Sequence, residues 1–202
     1  AERGLDSVDA DVLVLDEYDT LNQRNIPDAE RRVTSDTSAG LIRRVGVPSA
    51  PNIGIAALYE QSDQRRWHVR CTACNAWQAP EFSANVDTER GLVVCHSCRT
   101  PLDVAAGEWV AEFPDRAVRG YHVSQLLVPG ADLSRLIAAS RRRPAFERER
   151  FVRKDLGLPY EPEGGRLSLA VLEAARSGGN FTMLDTYTGD GLVTMGIDVA
   201  ST

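Results

Sequence analysis

Val12-Leu13-Val14-Leu15-Asp16-Glu17-Tyr18-Asp19 is the stretch that decides the fold of this 202-residue chain. Four aliphatic residues in succession read as a buried strand of a parallel sheet, apolar on both faces. Three carboxylates then fall within four positions, Asp16, Glu17 and Asp19. An apolar strand cannot bury such charges. They belong at its carboxyl end, in the crevice where open α/β sheets bind their ligands.

One acid in that crevice can hold Mg²⁺ through a bound nucleotide, and the next can orient water against a γ-phosphate. This is the pattern of a Walker B strand followed by its catalytic glutamate. A buried strand running into an acidic surface loop is the other reading of the same residues, because short motifs also occur by chance.

Residues 1–66 read as α/β around this strand. Asn25 to Val33 is polar and opens on Ile26-Pro27, the start of a short helix. Leu41 to Val47 is a second strand, stopped by Pro48. Ser49-Ala50-Pro51 follows, where a hydroxyl beside the acidic strand can sense a γ-phosphate; an ordinary Ser/Pro turn is the alternative. Ile55 to Glu60 fits a helix with Ile55, Leu58 and Tyr59 on one face.

Composition bounds the possibilities. Hydrophobic residues make up 43% and charged residues 26% of the chain, as in a soluble globular protein. No run approaches the roughly 18 apolar residues of a membrane helix, so no membrane role is expected. The start, Ala1-Glu2-Arg3-Gly4-Leu5, carries neither an initiator Met nor a basic-then-apolar secretory signal, and both ends read as cut from a longer chain. The net charge is −6, which leaves room only for local basic surfaces. Arg31-Arg32, Arg43-Arg44, Arg65-Arg66 and Arg141-Arg142-Arg143 are the candidates. Lys154 is the only lysine, a bias that suits bidentate phosphate contacts but that genomic base composition also produces.

Cys71-x2-Cys74 and Cys95-x2-Cys98 use all four cysteines of the chain. Each pair makes a knuckle with two thiolates on one side of a tight turn, and two knuckles complete a tetrahedral zinc site. Val86 and Leu92-Val93-Val94 between them are strand-like, so residues 67–103 read as a zinc ribbon. Four thiolates leave no open position, which makes the site structural and not catalytic. His68 and His96 flank the knuckles as surface or supporting groups.

Beyond the ribbon, Glu108 to Phe113 alternates as a strand, and Val118 to Val123 is a further strand candidate. His122 reads as a hydrogen-bonded structural histidine. Asp132 caps a helix with Leu133, Leu136 and Ile137 facing inward, and Pro144 breaks it. A second helix runs through Phe151 and Val152 to about Gly157. Leu158-Pro159-Tyr160-Glu161-Pro162-Glu163-Gly164-Gly165 then reads as a linker. Ser168 caps a new helix, and Leu192 to Val199 is an apolar strand with one acid, Asp198, near its end. Such an acid on the first strand of an RNase H-like sheet starts a two-metal nuclease site.

The order of these parts resembles the large terminase subunit of tailed bacteriophages, in the branch that carries a zinc ribbon beside the ATPase. Asp16-Glu17-Tyr18-Asp19, Ser62-Asp63-Gln64-Arg65-Arg66 before the first knuckle, Asp155-Leu156-Gly157-Leu158-Pro159-Tyr160 and Gly196-Ile197-Asp198 carry the likeness. The resemblance implies an α/β chain: the C-terminal part of a P-loop NTPase with a parallel sheet, an inserted four-cysteine zinc ribbon, and the first strand of an RNase H-like nuclease. It implies ATPase residues at 1–66, the ribbon at 67–103, the rest of the ATPase domain and linker at 104–165, and the nuclease from 166.

In that scheme Asp16 holds Mg²⁺ with ATP, Glu17 activates water, and Ser49 with Pro51 couples nucleotide state to DNA gripping. The family usually has a hydroxyl pair before the proline, where this chain has Ser49-Ala50. Cys71, Cys74, Cys95 and Cys98 hold Zn²⁺, and Asp198 holds a nuclease Mg²⁺ or Mn²⁺. The implied partners are double-stranded DNA, the small terminase subunit, the portal of the procapsid and further copies in a ring, all in the cytoplasm of the bacterial host. No glycine-rich loop ending in Lys-Ser or Lys-Thr is present, so the chain by itself is expected neither to hydrolyse ATP nor to cleave DNA. Measurable ATP turnover by the purified 202 residues contradicts that expectation.

Two other readings stand beside it. A helicase or translocase with a zinc ribbon shares Asp16, Glu17 and the cysteines but needs no acid at Asp198. A non-enzymatic zinc-ribbon adaptor keeps the acids at 16–19 only as surface.

Overall fold

The computed structural model describes residues 10–33 and 40–162. The described residues up to 162 belong to one compact unit. The linker end, the expected helix after Ser168 and the expected Asp198 strand lie outside the described residues.

Strand β1, Val12–Leu15, is followed by helix α1, Ile26–Glu30, and by strand β2, Leu41–Arg44. β1 and β2 pair in parallel with Val12 opposite Leu41 and Leu15 opposite Arg44. The pairing continues past the strands, where the Val45 amide donates to the Leu15 carbonyl and the Tyr18 amide to the Val45 carbonyl. Arg44 reaches across to Glu30 at 2.6 Å, which ties α1 to β2.

One expectation changes here. Only Leu15 of β1 is buried, while Val12 and Val14 are 53% and 57% exposed. Side chains alternate along a strand, so Leu13 and Leu15 share the inner face and the two valines the other. No described element covers that second face.

Helix α2, Gly54–Gln61, leads into strand β3, Arg65–Arg70, the organising strand of the rest of the unit. Arg116 caps the carboxyl end of α2 by donating to the carbonyls of Glu60 and Ser62, at 2.6 and 2.7 Å. After β3 come β4, Trp77–Gln78; helix α3, Phe82–Asn85; the short strands β5, Val86–Asp87, and β6, Leu92–Val93; then β7, Gly107–Ala111, and β8, Tyr121–His122. β7 runs antiparallel along β3 from Arg65 to Val69. The other edge of β3 is shared, with β8 parallel at Arg65–Arg66 and β4 antiparallel at Val69–Arg70. Trp67, Trp109 and Tyr121 stack edge to face across the sheet, with ring centroids 5.4 and 5.1 Å apart.

Asp63 fixes the entry to β3. It is almost fully buried, and its carboxylate accepts from Arg65 Nε at 2.7 Å and the Gly120 amide at 3.0 Å. Burial raises its pKa, but the Gly120 amide and Arg65 outweigh burial and hold it below the usual carboxylate value. Its main chain joins in too, donating to Val118 and accepting from Glu112 and Phe113.

Helix α4, Leu133–Ser140, starts at Asp132, whose carboxylate accepts from the Arg135 amide at 3.0 Å. Helix α5, Ala145–Arg150, begins after Pro144 and continues into a wider turn over Phe151–Asp155. The core forms where α4 meets the β5–β6 hairpin. Val86, Leu126, Leu136 and Ile137 are buried together, with Phe82, Val93 and Leu133 packed around them. Phe82 and Phe151 meet edge to face at 5.0 Å. The ribbon hairpin and the helices therefore share one apolar cluster.

His122 is a structural group, as its isolation suggested. It is half-buried, and its Nε2 lies 2.9 Å from the Leu156 carbonyl, which requires the proton on Nε2. Burial lowers its pKa below the ordinary 6.5, against the opposing pull of the Leu156 carbonyl. The unfolded chain therefore takes up this proton before the folded one. Stability from this residue is intact above about pH 6.5 and is lost as pH falls below it. Denaturant midpoints between pH 7.5 and 5.5 are expected to fall more for the natural chain than for His122→Asn; equal falls would remove His122 from the account.

Candidate functional site

The acidic turn after β1 is built around a left-handed residue. Glu17 has φ 52° and ψ 44°, an uncommon conformation for a residue with a Cβ. It is held there by neighbours: the Glu17 amide donates to Asp16 Oδ1 at 2.9 Å, and Thr20 donates to the Glu17 carbonyl from both amide and hydroxyl. Backbone strain of this kind costs roughly 1–3 kcal/mol and concentrates at functional turns. Asp16 and Glu17 are both exposed, immediately after buried Leu15. Neither carboxylate is tied up by another side chain among the described residues.

Asp19 is different, and sequence reasoning missed its role. Its Oδ2 accepts from the Ser49 amide at 2.9 Å and the Ser49 hydroxyl at 2.7 Å, and its Oδ1 accepts from the Ile55 amide at 2.6 Å. One carboxylate thus ties the acidic turn to the Ser49–Pro51 segment and to the first turn of α2. Arg153 holds the same segment from the other side, donating to the Pro48 carbonyl at 2.8 Å. The acid run 16–19 showed that Asp19 was present. It carried no sign that its partners lie 30 and 36 positions away.

Gly54 makes that tether possible. It has φ +54°, and a Cβ there would stand 2.1 Å from Asp19 Oδ1. Gly54→Ala must therefore displace the carboxylate that caps the helix and holds Ser49. Losing charge-assisted hydrogen bonds of this kind is expected to cost about 2–4 kcal/mol of stability. A denaturant midpoint within error of the natural chain would show that the tether is dispensable.

The second site is the cysteine cluster. The four sulfurs of Cys71, Cys74, Cys95 and Cys98 lie within 4.8 Å of one another, and none is in a disulfide. The two knuckles are built alike. The Cys71 amide donates to Ala76 and the Asn75 amide to Cys71; the Cys95 amide donates to Thr100 and the Arg99 amide to Cys95. In each knuckle the residue after the second cysteine, Asn75 or Arg99, turns the chain with φ near +60°. Cys71 and Cys95 are fully buried and Cys74 and Cys98 exposed.

Sulfurs this close cannot all carry charge without a cation between them. The Cys98 amide and then the Gln78 side chain pull Cys95 down to about 5. Hydrogen bonds from Thr100, first through its hydroxyl, also lower Cys98. The Ala76 amide pulls Cys74 down as well, but its contacts with the other three sulfurs and burial outweigh that and push it up to about 12. A dication removes this conflict, and four thiolates in this spacing fit the tetrahedral preference of zinc.

Gln78 supports the cluster from beneath. Its Nε2 donates to Cys95 Sγ at 3.1 Å. Its Oε1 accepts from Asn85 Nδ2 at 2.7 Å and from the amide and Nδ1 of His96, each at 2.9 Å. Three donors on the oxygen fix which end of the amide faces the sulfur. His96 is thus a supporting group, and His68 lies outside the cluster with its Nδ1 at 3.1 Å from the Arg66 carbonyl. Gln78 had no sequence signal, since neither its spacing nor its type marks a residue near a metal.

Of the sequence-predicted site residues, the fold brings together the four cysteines. It also places Asp16 and Glu17 on the turn that Asp19 links to Ser49. The two clusters remain separate sites, and Asp198 lies outside the described residues. No curated protein and no solved structure matches the chain. The family described as phage terminase large subunit gpA, ATPase domain, matches residues 1–111, from before β1 through the cysteine ribbon to the end of β7. Because that match covers more than half of the 202 residues, the chain belongs to the phage terminase large subunit gpA family through its ATPase domain.

Proposed function

We propose that this chain supplies the acidic half of the ATP site of a DNA-packaging motor, with Asp16 holding Mg²⁺ at the nucleotide and Glu17 activating the attacking water. The single observation that carries this reading is the turn after β1. Two exposed carboxylates, neither bound by another side chain among the described residues, follow a parallel strand, and the second stands in a strained left-handed conformation. Asp19 and Ser49 form the link by which that turn moves the segment leading into α2. The Ser49 hydroxyl donates its hydrogen bond to Asp19, so Ser49 acts as part of the link and has only its oxygen lone pairs left for a nucleotide. The test is ATP turnover by the packaging motor that contains this chain, with Asp16→Asn and Glu17→Gln compared against the natural residues. Turnover that survives both substitutions sinks the assignment.

Zn²⁺ on Cys71, Cys74, Cys95 and Cys98 is the structural metal of this reading, and its role is to brace the core shared with α4. The layout is ATPase residues at 1–66, ribbon at 67–103, the rest of the ATPase domain with linker at 104–165, and a nuclease from 166. Asp198 is the first nuclease acid, taking Mg²⁺ or Mn²⁺ for cutting concatemers. Double-stranded DNA, the small subunit, the portal and a ring of copies are its partners in the host cytoplasm. These finer parts are supported by the family resemblance and the order of motifs.

A further inference from the structure

Residues 141–154 carry seven cations, Arg141, Arg142, Arg143, Arg148, Arg150, Arg153 and Lys154, against two carboxylates, Glu147 and Glu149. The segment is therefore +5 in a chain whose net charge is −6. Both carboxylates are already engaged, Glu147 with Arg142 and Glu149 with Arg153. Arg141, Arg143, Arg148, Arg150 and Lys154 are exposed and make no ion pair among the described residues. Phe146 stands among them with 68% of its surface exposed.

Codon bias explains arginine in place of lysine but not the gathering of uncompensated cations on one turn and one short helix. Like charges this close repel, and the five unpaired cations are exposed, while Phe151 is the buried residue of the segment. The patch is complementary to a dense row of anions. Single-strand sites interleave several aromatic platforms with their cations, and here Phe146 is the one exposed aromatic. Phosphate contacts therefore dominate, as on a duplex.

We propose that residues 141–154, the turn between α4 and α5 together with α5, bind the phosphate backbone of duplex DNA without reading its sequence. The proposal rests on the packaging-motor reading for the nature of the polyanion. The segment lies beyond residue 111, outside the matched ATPase region. Arg142 and Arg153 position it through their ion pairs, and the five free cations make the contacts.

The test is fluorescence anisotropy of a labelled duplex of arbitrary sequence, titrated with the 202-residue chain at several salt concentrations. Each phosphate contact contributes about 0.9 to the slope of log affinity against log salt, so Arg141→Gln/Arg143→Gln/Arg148→Gln is expected to flatten it by about 2–3. Arg24→Gln/Arg70→Gln/Arg119→Gln removes the same charge from exposed positions elsewhere and is expected to leave the slope nearly unchanged. Unchanged melting of both variants shows that the effect is not unfolding. Equal flattening by the two variants overturns the proposal, as does an unaltered slope for the first. A natural chain that binds a poly-glutamate peptide but not the duplex overturns it as well, and assigns the patch to an acidic protein. None of these outcomes bears on Asp16 and Glu17, whose test reads nucleotide turnover.

Discussion

Replacing Cys71 by Ser is expected to strip the metal from the chain and unfold the ribbon. Cys71 is fully buried at the end of β3, where its sulfur lies 3.5 Å from that of Cys98. A serine hydroxyl there cannot supply a thiolate, and three remaining sulfurs hold zinc poorly at neutral pH. Structural zinc contributes an apparent 10–16 kcal/mol in small zinc domains, about as much as the whole stability of an ordinary domain. The loss does not stop at the knuckles. Val86, Val93 and Phe82 belong to the ribbon and also form the apolar cluster with Leu126, Leu136 and Ile137. Loosening the ribbon therefore exposes the inner face of α4. Zinc content measured with a chromogenic chelator and a far-ultraviolet thermal melt check this together. Adding a strong chelator to the natural chain is expected to reproduce the variant's melt. A metal-free variant that melts as the natural chain does would end the zinc assignment.

Glu17→Gln is the second large effect, and it is expected to act on turnover with little effect on stability. The Glu17 side chain is exposed, and the hydrogen bonds that hold its turn come from its main chain, the Asp16 carboxylate and Thr20. Glutamine keeps the shape and the backbone preference but cannot accept a proton from water. Removing a general base lowers rates by about 10²–10⁴-fold. The motor that contains the chain should then hold nucleotide nearly as well as before while its hydrolysis collapses. On the proposed reading Asp16→Asn behaves differently, raising the Mg²⁺ concentration needed for half-maximal turnover, because that reading assigns Asp16 to the metal and Glu17 to the water. A Glu17→Gln motor with unchanged single-turnover hydrolysis would return the acidic turn to the role of a surface loop.

The two predictions separate the sites as the fold does. One cluster is half-buried and made of four sulfurs, and its substitution is read in stability. The other is exposed and open, and its substitution is read in rate. Asp19 lies between these categories. It is an acid of the open turn whose carboxylate is committed to Ser49 and Ile55.

What the residues determined alone were the features written in short-range spacing. The aliphatic run before Asp16, the paired Cys-x2-Cys knuckles and the Asp132 cap of α4 each depend on neighbours within a few positions. β1, the cysteine cluster and α4 accordingly formed where the pattern placed them. Only tertiary structure decided the rest. Arg65 to Arg70 has no clean strand alternation, yet it becomes the central strand because β4, β7 and β8 supply its hydrogen bonds. Gln78 and Asp19 owe their roles to partners 17 and 30 or more positions away. A local pattern shows which groups a turn presents. Which group becomes a tether is set by the partners that folding delivers: those of Asp19 come from Ser49 and the first turn of α2, and none of them reaches Asp16 or Glu17.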